Sequence, residues 1–232
     1  MRMTWSELLF AHWAVDPKVV AARLPAGVTL DTRDGKAWVG VVPFMMSNIA
    51  PRFCPPIPGL SRFPELNVRT YVTVDGKPGV WFFSLDAESR VAVRVVRATF
   101  NLPYMDATMS IKQDDSGTID YRSRRTHRGE PAAEYDASYR AAGEFERAEP
   151  GSLEHWLTAR YCLYSANRRS CIFRGEIDHP PWSLAPAKCK ERINTMGEGF
   201  GFQFEGEPHL LLAKPVDVRA WIVQKCGHGS TA

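Results

Sequence analysis

The sequence is poor in the features that most directly announce chemistry. Lysine is scarce, 8 residues against 21 arginines among the 29 basic positions. Lysine is the side chain that forms imines, whereas arginine stays charged and offers carboxylates a planar fork. The chain therefore leans toward binding anions. The five cysteines, Cys54, Cys162, Cys171, Cys189 and Cys226, are odd in number and far apart, with no C-x-x-C pair. They read as reduced thiols, and no metal site is expected. No segment approaches the roughly 18 apolar residues of a membrane span, and the amino-terminal MRMTWSELLFAHWAVDP holds no uninterrupted apolar stretch of signal-peptide length. A cytoplasmic protein without membrane contact is the expectation. No phosphate-binding loop, dinucleotide-binding turn, nucleophile elbow or H-E-x-x-H helix occurs, so no cofactor is expected. A net charge of +3 is too balanced to call for nucleic acid. The basic run Arg122, Arg124, Arg125, His127, Arg128 has no interleaved aromatics and reads as the solvated end of a hairpin.

What is present is an ordinary globular composition, 232 residues with 44% hydrophobic and 24% charged. That suits one domain over 1–224, followed by a small polar tail, 225–232, expected to be flexible. The organising stretch runs from Gly79 to Met105. Val80 to Leu85 is apolar at nearly every position and reads as a strand buried on both faces. Asp86 then caps a helix whose apolar stripe is Val91, Ala92, Val95, Val96, Ala98 and Thr99, with Arg90, Arg94 and Arg97 on another face. Leu102-Pro103 stops it. Further strands are expected at Ser6–Val15, Glu65–Val74, Asp106–Lys112, Thr118–Arg124 and Cys171–Ile177, with one or two more in Leu210–Val223. The Asp34-Gly35 turn predicts a hairpin between Val28–Asp31 and Lys36–Phe44. A short helix is expected over Pro17–Arg23, a second main helix over Leu153–Tyr164, and irregular chain over most of 131–149. Nine or ten strands with two main helices make an α+β, mainly antiparallel domain.

Glu65–Val74 is the most informative strand. Period two puts Glu65, Asn67, Arg69 and Tyr71 on one face and Leu66, Val68, Thr70 and Val72 on the other. The polar row is either a solvated face, with Glu65 and Arg69 as a same-face ion pair, or the wall of an internal cavity. In the second reading Arg69 binds a carboxylate, Glu65 exchanges a proton and Tyr104 donates a hydrogen bond. Asn67, Trp81, Met105, Arg160 and His179 complete the candidate ligand-binding set. The proline-rich connection from Ser47 to Pro64 either covers such a site or is a stiff surface crossing.

FAHW at Phe10 to Trp13, LPAG at Leu24 to Gly27, DGKAWVGVVPF at Asp34 to Phe44, FPELNVRTYV at Phe63 to Val72, GVWFFSLDA at Gly79 to Ala87, LPY at Leu102 to Tyr104, RYCLY at Arg160 to Tyr164 and HPPW at His179 to Trp182 occur in this order. In these the chain resembles the YqjF-like proteins of domain of unknown function 2071 over nearly its whole length. That family is similar in turn to the acetoacetate decarboxylase-like superfamily. The resemblance implies a cone-shaped, largely antiparallel barrel around a small-molecule cavity, and a homo-oligomer is in keeping with it. In the decarboxylases a Gly-Phe-Pro-Lys-Lys segment supplies the Schiff-base lysine. The segment that resembles it here, Asn101-Leu102-Pro103-Tyr104-Met105, has tyrosine and methionine instead of the lysines, so the decarboxylase mechanism does not carry over. Three readings follow. The first is a binder of, or enzyme acting on, a small carboxylate or carbonyl compound without a Schiff base. The second is an interaction protein with a filled interior, and the third a keto-acid decarboxylase using another lysine, Lys112 or Lys214.

Overall fold

The computed structural model describes residues 1–51, 55–56, 61–89, 93–94, 97, 100–167 and 169–228. More than half of these lie in strands, and the fold is mostly β. The α+β expectation is corrected on this point, because the helices α1 (Pro17–Ala21) and α2 (Leu153–Thr158) span barely more than one turn each.

Three long strands form the centre: β4 (Ala37–Ala50), β5 (Phe63–Val74) and β6 (Lys77–Ala87). β5 and β6 make a hairpin, whose turn places Asp75 and Gly76 at φ 51 and 74. These are left-handed values that Gly adopts freely and Asp tolerates. The flanking strands are β1 (Arg2–Ser6), β2 (Leu8–Val15), β3 (Thr29–Leu30), β7 (Tyr104–Gln113), β8 (Ile119–Arg125), β9 (Glu134–Ala141), β10 (Glu146–Arg147), β11 (Cys162–Ala166), β12 (Cys171–Asp178), β13 (Ser183–Asn194), β14 (His209–Ala213), β15 (Val216–Ala220) and β16 (Gln224–His228).

Their pairings close two circuits that share β4, β5 and β6. One runs β5, β6, β7, β8, β9, β13, β14, β2, β4 and back to β5. The other runs β4, β1, β15, β12, β11, β6, β5 and back to β4. All of these pairs are antiparallel except β6 with β7 and β6 with β11. The first circuit is filled. Leu9, Ala11 and Trp13 of β2, Val39 and Val41 of β4, and Leu66 and Val68 of β5 pack there against Tyr121, Tyr135 and Tyr139. The alternate residues of the same strands, Leu8, Phe10, Val42 and Phe44, face into the second circuit, where a cavity remains.

Several local expectations are corrected. Glu7 at φ 49 breaks the first strand into β1 and β2, so the chain passes from one circuit to the other. Thr29–Leu30 pairs with β5, not with β4. β4 is already paired there on both sides, Val39 with Trp13 and with Thr70, and the Asp34-Gly35 turn closes only the bridge Arg33 to Lys36. The stretch expected to be irregular contains β9, whose Tyr135, Ala137 and Tyr139 alternate inward. The helix expected to reach Tyr164 ends at Thr158, because Cys162–Ala166 pairs with β12 and β6. β16 pairs with β12 where a tail was expected.

Asp86 is not a helix cap. It lies within β6, fully buried, and accepts hydrogen bonds from Nε and Nη2 of Arg125 at 2.8 to 3.1 Å, while Nη2 also donates to Ser84. Arg125 therefore leaves the solvated run in which the sequence placed it, and Arg122 and Arg124 stay exposed. Of the helix after β6, Val93, Arg94, Arg97 and Phe100 are described as helical, and the stripe residues Val91, Ala92, Val95, Val96, Ala98 and Thr99, with Arg90, lie outside the described residues. So do 52–54 and 57–60 of the proline-rich connection.

Removing one member of a buried ion pair strands the other charge, which costs about 3–5 kcal/mol. Asp86→Ala should lower the stability measured by urea unfolding by that order. A loss below about 1 kcal/mol, the value of an exposed pair, would mean that the Arg125 charge is relieved elsewhere.

Candidate functional site

The cavity of the second circuit measures about 160 Å³. The pleat of β5 aims Glu65, Asn67 and Arg69 into it, while Leu66 and Val68 bury themselves on the other side. The register that the sequence suggested for this row is the one present, and no Glu65–Arg69 ion pair forms.

Tyr104 enters at the first position of β7. Arg97 donates to its carbonyl at 2.5 Å, Arg94 makes a two-pronged contact with Asp106, and His127 lies 3.1 Å from the same carboxylate. Two arginines of the preceding helix thus clasp the start of β7. Met105, one residue on, is buried but is not among the lining residues, since consecutive strand residues point to opposite faces. Trp81 is displaced for the same reason. Val80 and Phe82 line the cavity and Trp81 packs against the filled core. The cavity therefore does not include the candidates Trp81 and Met105, and it brings together Glu65, Asn67, Arg69, Tyr104, Arg160 and His179.

The Tyr104 hydroxyl donates to Glu65 Oε2 at 2.8 Å. Burial pushes the Glu65 carboxyl up to about 8, with the Asp86 charge adding to the effect and the Tyr104 hydrogen bond only partly opposing it. At neutral pH this carboxyl holds its proton. Arg69 is in the opposite situation. Its guanidinium lies 5.1 Å from the Phe10 ring and 5.8 Å from the Tyr71 ring and makes a 3.5 Å contact to the Tyr71 hydroxyl, and its buried Nε has no partner among the described residues. No described carboxylate pairs with it. Asn67 Oδ1 and Trp5 Nε1, also at the cavity, are buried without partners among the described residues. Unpaired buried polar atoms cost free energy, so three on one cavity mark where a polar ligand would be welcome.

Arg160 follows α2 and is held on two sides. Nε donates to the Trp156 carbonyl at 2.8 Å and Nη1 to Asp31 at 2.7 Å, with the Trp156 ring 4.4 Å away. His179 donates through Nδ1 to the Pro180 carbonyl at 2.8 Å and sits between Tyr161 and Trp182; burial lowers its pKa and keeps it neutral. It serves as a rigid corner of the wall.

Sequence reasoning missed the support behind the arginines. The Tyr71 hydroxyl donates to the Leu157 carbonyl at 2.8 Å, so the 2.6 Å contact with His12 Nε2 has histidine as donor. Burial first, then the Arg69 charge, keeps His12 neutral. Tyr71 thereby joins α2 to β2 and presents its ring to both Arg69 and Arg160. No local signal links residues 12, 71 and 157. The aromatic wall residues Trp5, Phe10 and Phe44 were equally silent, because apolar strand positions do not reveal which interior they face.

The described lining contains no lysine. Lys112 is exposed on β7, and Lys214 lies over the Phe145 ring at 5.1 Å.

Comparison with known proteins places this geometry. The enduracididine biosynthesis enzyme MppR, solved with HEPES buffer bound, superposes with a TM-score of 0.70 at 13% identity, covering 97% of this chain and 87% of that one. An acetoacetate decarboxylase-like enzyme from Sphingomonas wittichii RW1 gives a TM-score of 0.67 at 11% identity, covering 97% and 92%. At such identities the likeness is one of fold. In sequence, the uncharacterized protein YqjF of Bacillus subtilis (strain 168) is 43% identical over 226 residues, 97% of this chain and 92% of that protein. The family model described as an uncharacterized conserved protein, domain of unknown function 2071, matches residues 2–217. On that match, and on an acetoacetate decarboxylase-like arrangement of strands, the chain belongs to the DUF2071 family.

Proposed function

We propose that this chain binds a small carboxylate- or carbonyl-bearing molecule in the cavity of its second circuit, and that any chemistry done there proceeds without a Schiff base. The observation that carries the reading is Arg69, a cation lining a largely apolar cavity with no described carboxylate partner and an unpaired buried Nε. A ligand carboxylate would complete that guanidinium, as the carboxylate of Asp31 completes Arg160. Glu65, protonated and hydrogen-bonded to Tyr104, is suited to donate a proton or hydrogen bond and, once deprotonated, to act as base. A cavity of about 150 Å³ accommodates a benzene-sized molecule, so the space suits a small acid. MppR, similar in fold, has been solved with pyruvate, a compound of the same class. We read the two circuits as the cone-shaped barrel of the decarboxylase superfamily. A protein with a wholly filled interior fits the first circuit and not the second.

The direct test is a thermal-shift screen against small 2-oxo, 3-oxo and aromatic carboxylates. A ligand at 100 times its dissociation constant adds about 2.7 kcal/mol of stability, and the shift should vanish in Arg69→Ala. A shift that persists undiminished in the variant would remove Arg69 from the role.

Borohydride reduction in the presence of pyruvate or acetoacetate should leave the protein mass unchanged. A trapped adduct on Lys112 or Lys214 would restore imine chemistry.

Glu65 has an ordinary pKa of 4.5 and a folded-state value of about 8, so the folded form holds the extra proton between those limits. The contribution of this group to stability is complete below pH 4.5 and is lost as pH rises through about 8. Urea unfolding should show the wild type losing on the order of a few kcal/mol more than Glu65→Gln over that span. Parallel curves for the two proteins would mean that the carboxyl titrates normally.

A further inference from the structure

The hydrogen-bonding groups around the cavity leave a definite remainder. The Tyr104 hydroxyl is used on Glu65, the Thr158 hydroxyl donates to the Glu154 carbonyl at 2.7 Å, and His179 donates to the Pro180 carbonyl at 2.8 Å. Arg160 is held by the Trp156 carbonyl and Asp31. Three buried atoms of the lining have no partner among the described residues: two donors, Arg69 Nε and Trp5 Nε1, and one acceptor, Asn67 Oδ1. A carboxylate carries only acceptors, so it can complete donors and does nothing for the asparagine oxygen. What Asn67 lacks is a donor.

Size and position limit where that donor sits on a ligand. Asn67 and Arg69 are next neighbours on one face of β5, about 6.6 Å apart between Cα atoms at a rise of about 3.3 Å per residue. The cavity, about 160 Å³, is close to the roughly 150 Å³ that takes benzene, so the whole ligand has about six or seven non-hydrogen atoms. A donor on so small an acid is never more than a carbon or two from the carboxylate.

Charge limits what kind of donor it is. Hydroxyl and ammonium groups both donate. The only carboxyl of the described lining is Glu65, which keeps its proton at neutral pH, and Asp31 is already engaged by Arg160. Apart from the ligand's own carboxylate, which Arg69 takes, an ammonium would find no anion to meet it beside the Arg69 cation, and a buried charge without a partner is strongly disfavoured. A hydroxyl carries no such penalty. A ketone oxygen only accepts, and leaves Asn67 Oδ1 as it is.

We propose that the ligand is a short aliphatic hydroxy acid with one carboxylate, in preference to the oxo acid or the amino acid of the same skeleton. Arg69 takes the carboxylate, Asn67 Oδ1 accepts from the hydroxyl, and the apolar walls take the remaining carbons. This inference rests on the anion-binding reading of Arg69 and narrows it.

The test is calorimetric titration with probes of one carbon skeleton: each enantiomer of lactate, 3-hydroxypropanoate, propanoate, pyruvate and alanine. The tightest of the hydroxy acids should bind about tenfold more tightly than propanoate and pyruvate, the usual effect of giving a buried acceptor its partner, and alanine should bind more weakly than that hydroxy acid by at least as much. Asn67→Leu, which puts an apolar side chain of similar size in place of the amide, should remove the hydroxy acid's advantage while propanoate still binds. Arg69→Met should weaken every acid. Thermal unfolding of each variant establishes that it is folded. A hydroxy acid that binds no more tightly than propanoate, pyruvate or alanine, or whose advantage survives in Asn67→Leu, overturns the inference. If Arg69→Met still weakens the acids, the anion-binding reading stands without it. Acids that bind Arg69→Met as they bind wild type, or fail to bind either protein, overturn both.

Discussion

The pleat of β5 is the constraint on which the rest depends. Successive side chains of a strand point to opposite faces, so a strand between two interiors must serve both with alternate residues. β5 does so with Leu66 and Val68 toward the filled circuit and Glu65, Asn67 and Arg69 toward the cavity. A slip of one residue in its pairing with β4 would drive a carboxyl and a guanidinium into the packed core and turn two aliphatic side chains into the cavity. The pairing of Val41 with Val68 and Phe44 with Glu65 is thus held by the cost of burying those polar groups in the packed core as much as by backbone hydrogen bonds. β2 and β4 obey the same rule, and together the three strands are a partition with a different purpose on each side.

The two arginines at the cavity show how context divides roles between identical side chains. Arg160 is anchored by a helix carbonyl and an aspartate, and its planar face covers Trp156; it is a finished piece of structure. Arg69 shares the Tyr71 ring with it but has no such completion. Glu65 reverses the ordinary state of a carboxyl through burial, so one strand presents a fixed positive charge and a neutral acid in the same space. This polarity along β5 makes the two ends of its inward-facing row unlike in charge.

Legibility in the sequence followed the contrast between residue types. β5 could be read because its two faces differ in kind, and Tyr104 because Leu102-Pro103 marks where the chain turns toward the cavity. Val80 to Leu85 has no such contrast, and its parity is set by a register shift opposite Val68 and Arg69 that leaves Phe83 between the paired Ser84 and Phe82. Nothing local announces that bulge, and an all-apolar strand did not show which interior Trp81, a ligand-binding candidate, would face. β9 was hidden by the alanines and glutamates of the stretch 131–149 around it, although Tyr135 and Tyr139 carry the alternation. β13 is exposed along most of its length and contains Pro186, so it shows neither an apolar face nor a clear strand composition. Asp86 illustrates a different failure. A buried aspartate paired with an arginine 39 positions away looks, in sequence, like an ordinary helix cap.

The closing pair of the second circuit joins the two ends of the chain, Met3 beside Val218 and Trp5 beside Val216. Contacts this remote in sequence carry a large loop-closure entropy and are associated with slow folding. During synthesis, β4, β5 and β6 would emerge with their polar row exposed, well before the strand that completes the wall. The wall of the cavity would therefore be complete only after residues 216–219 have left the ribosome. Until then the half-built wall, with its apolar rings uncovered, is the part of the nascent chain most in need of protection from other chains.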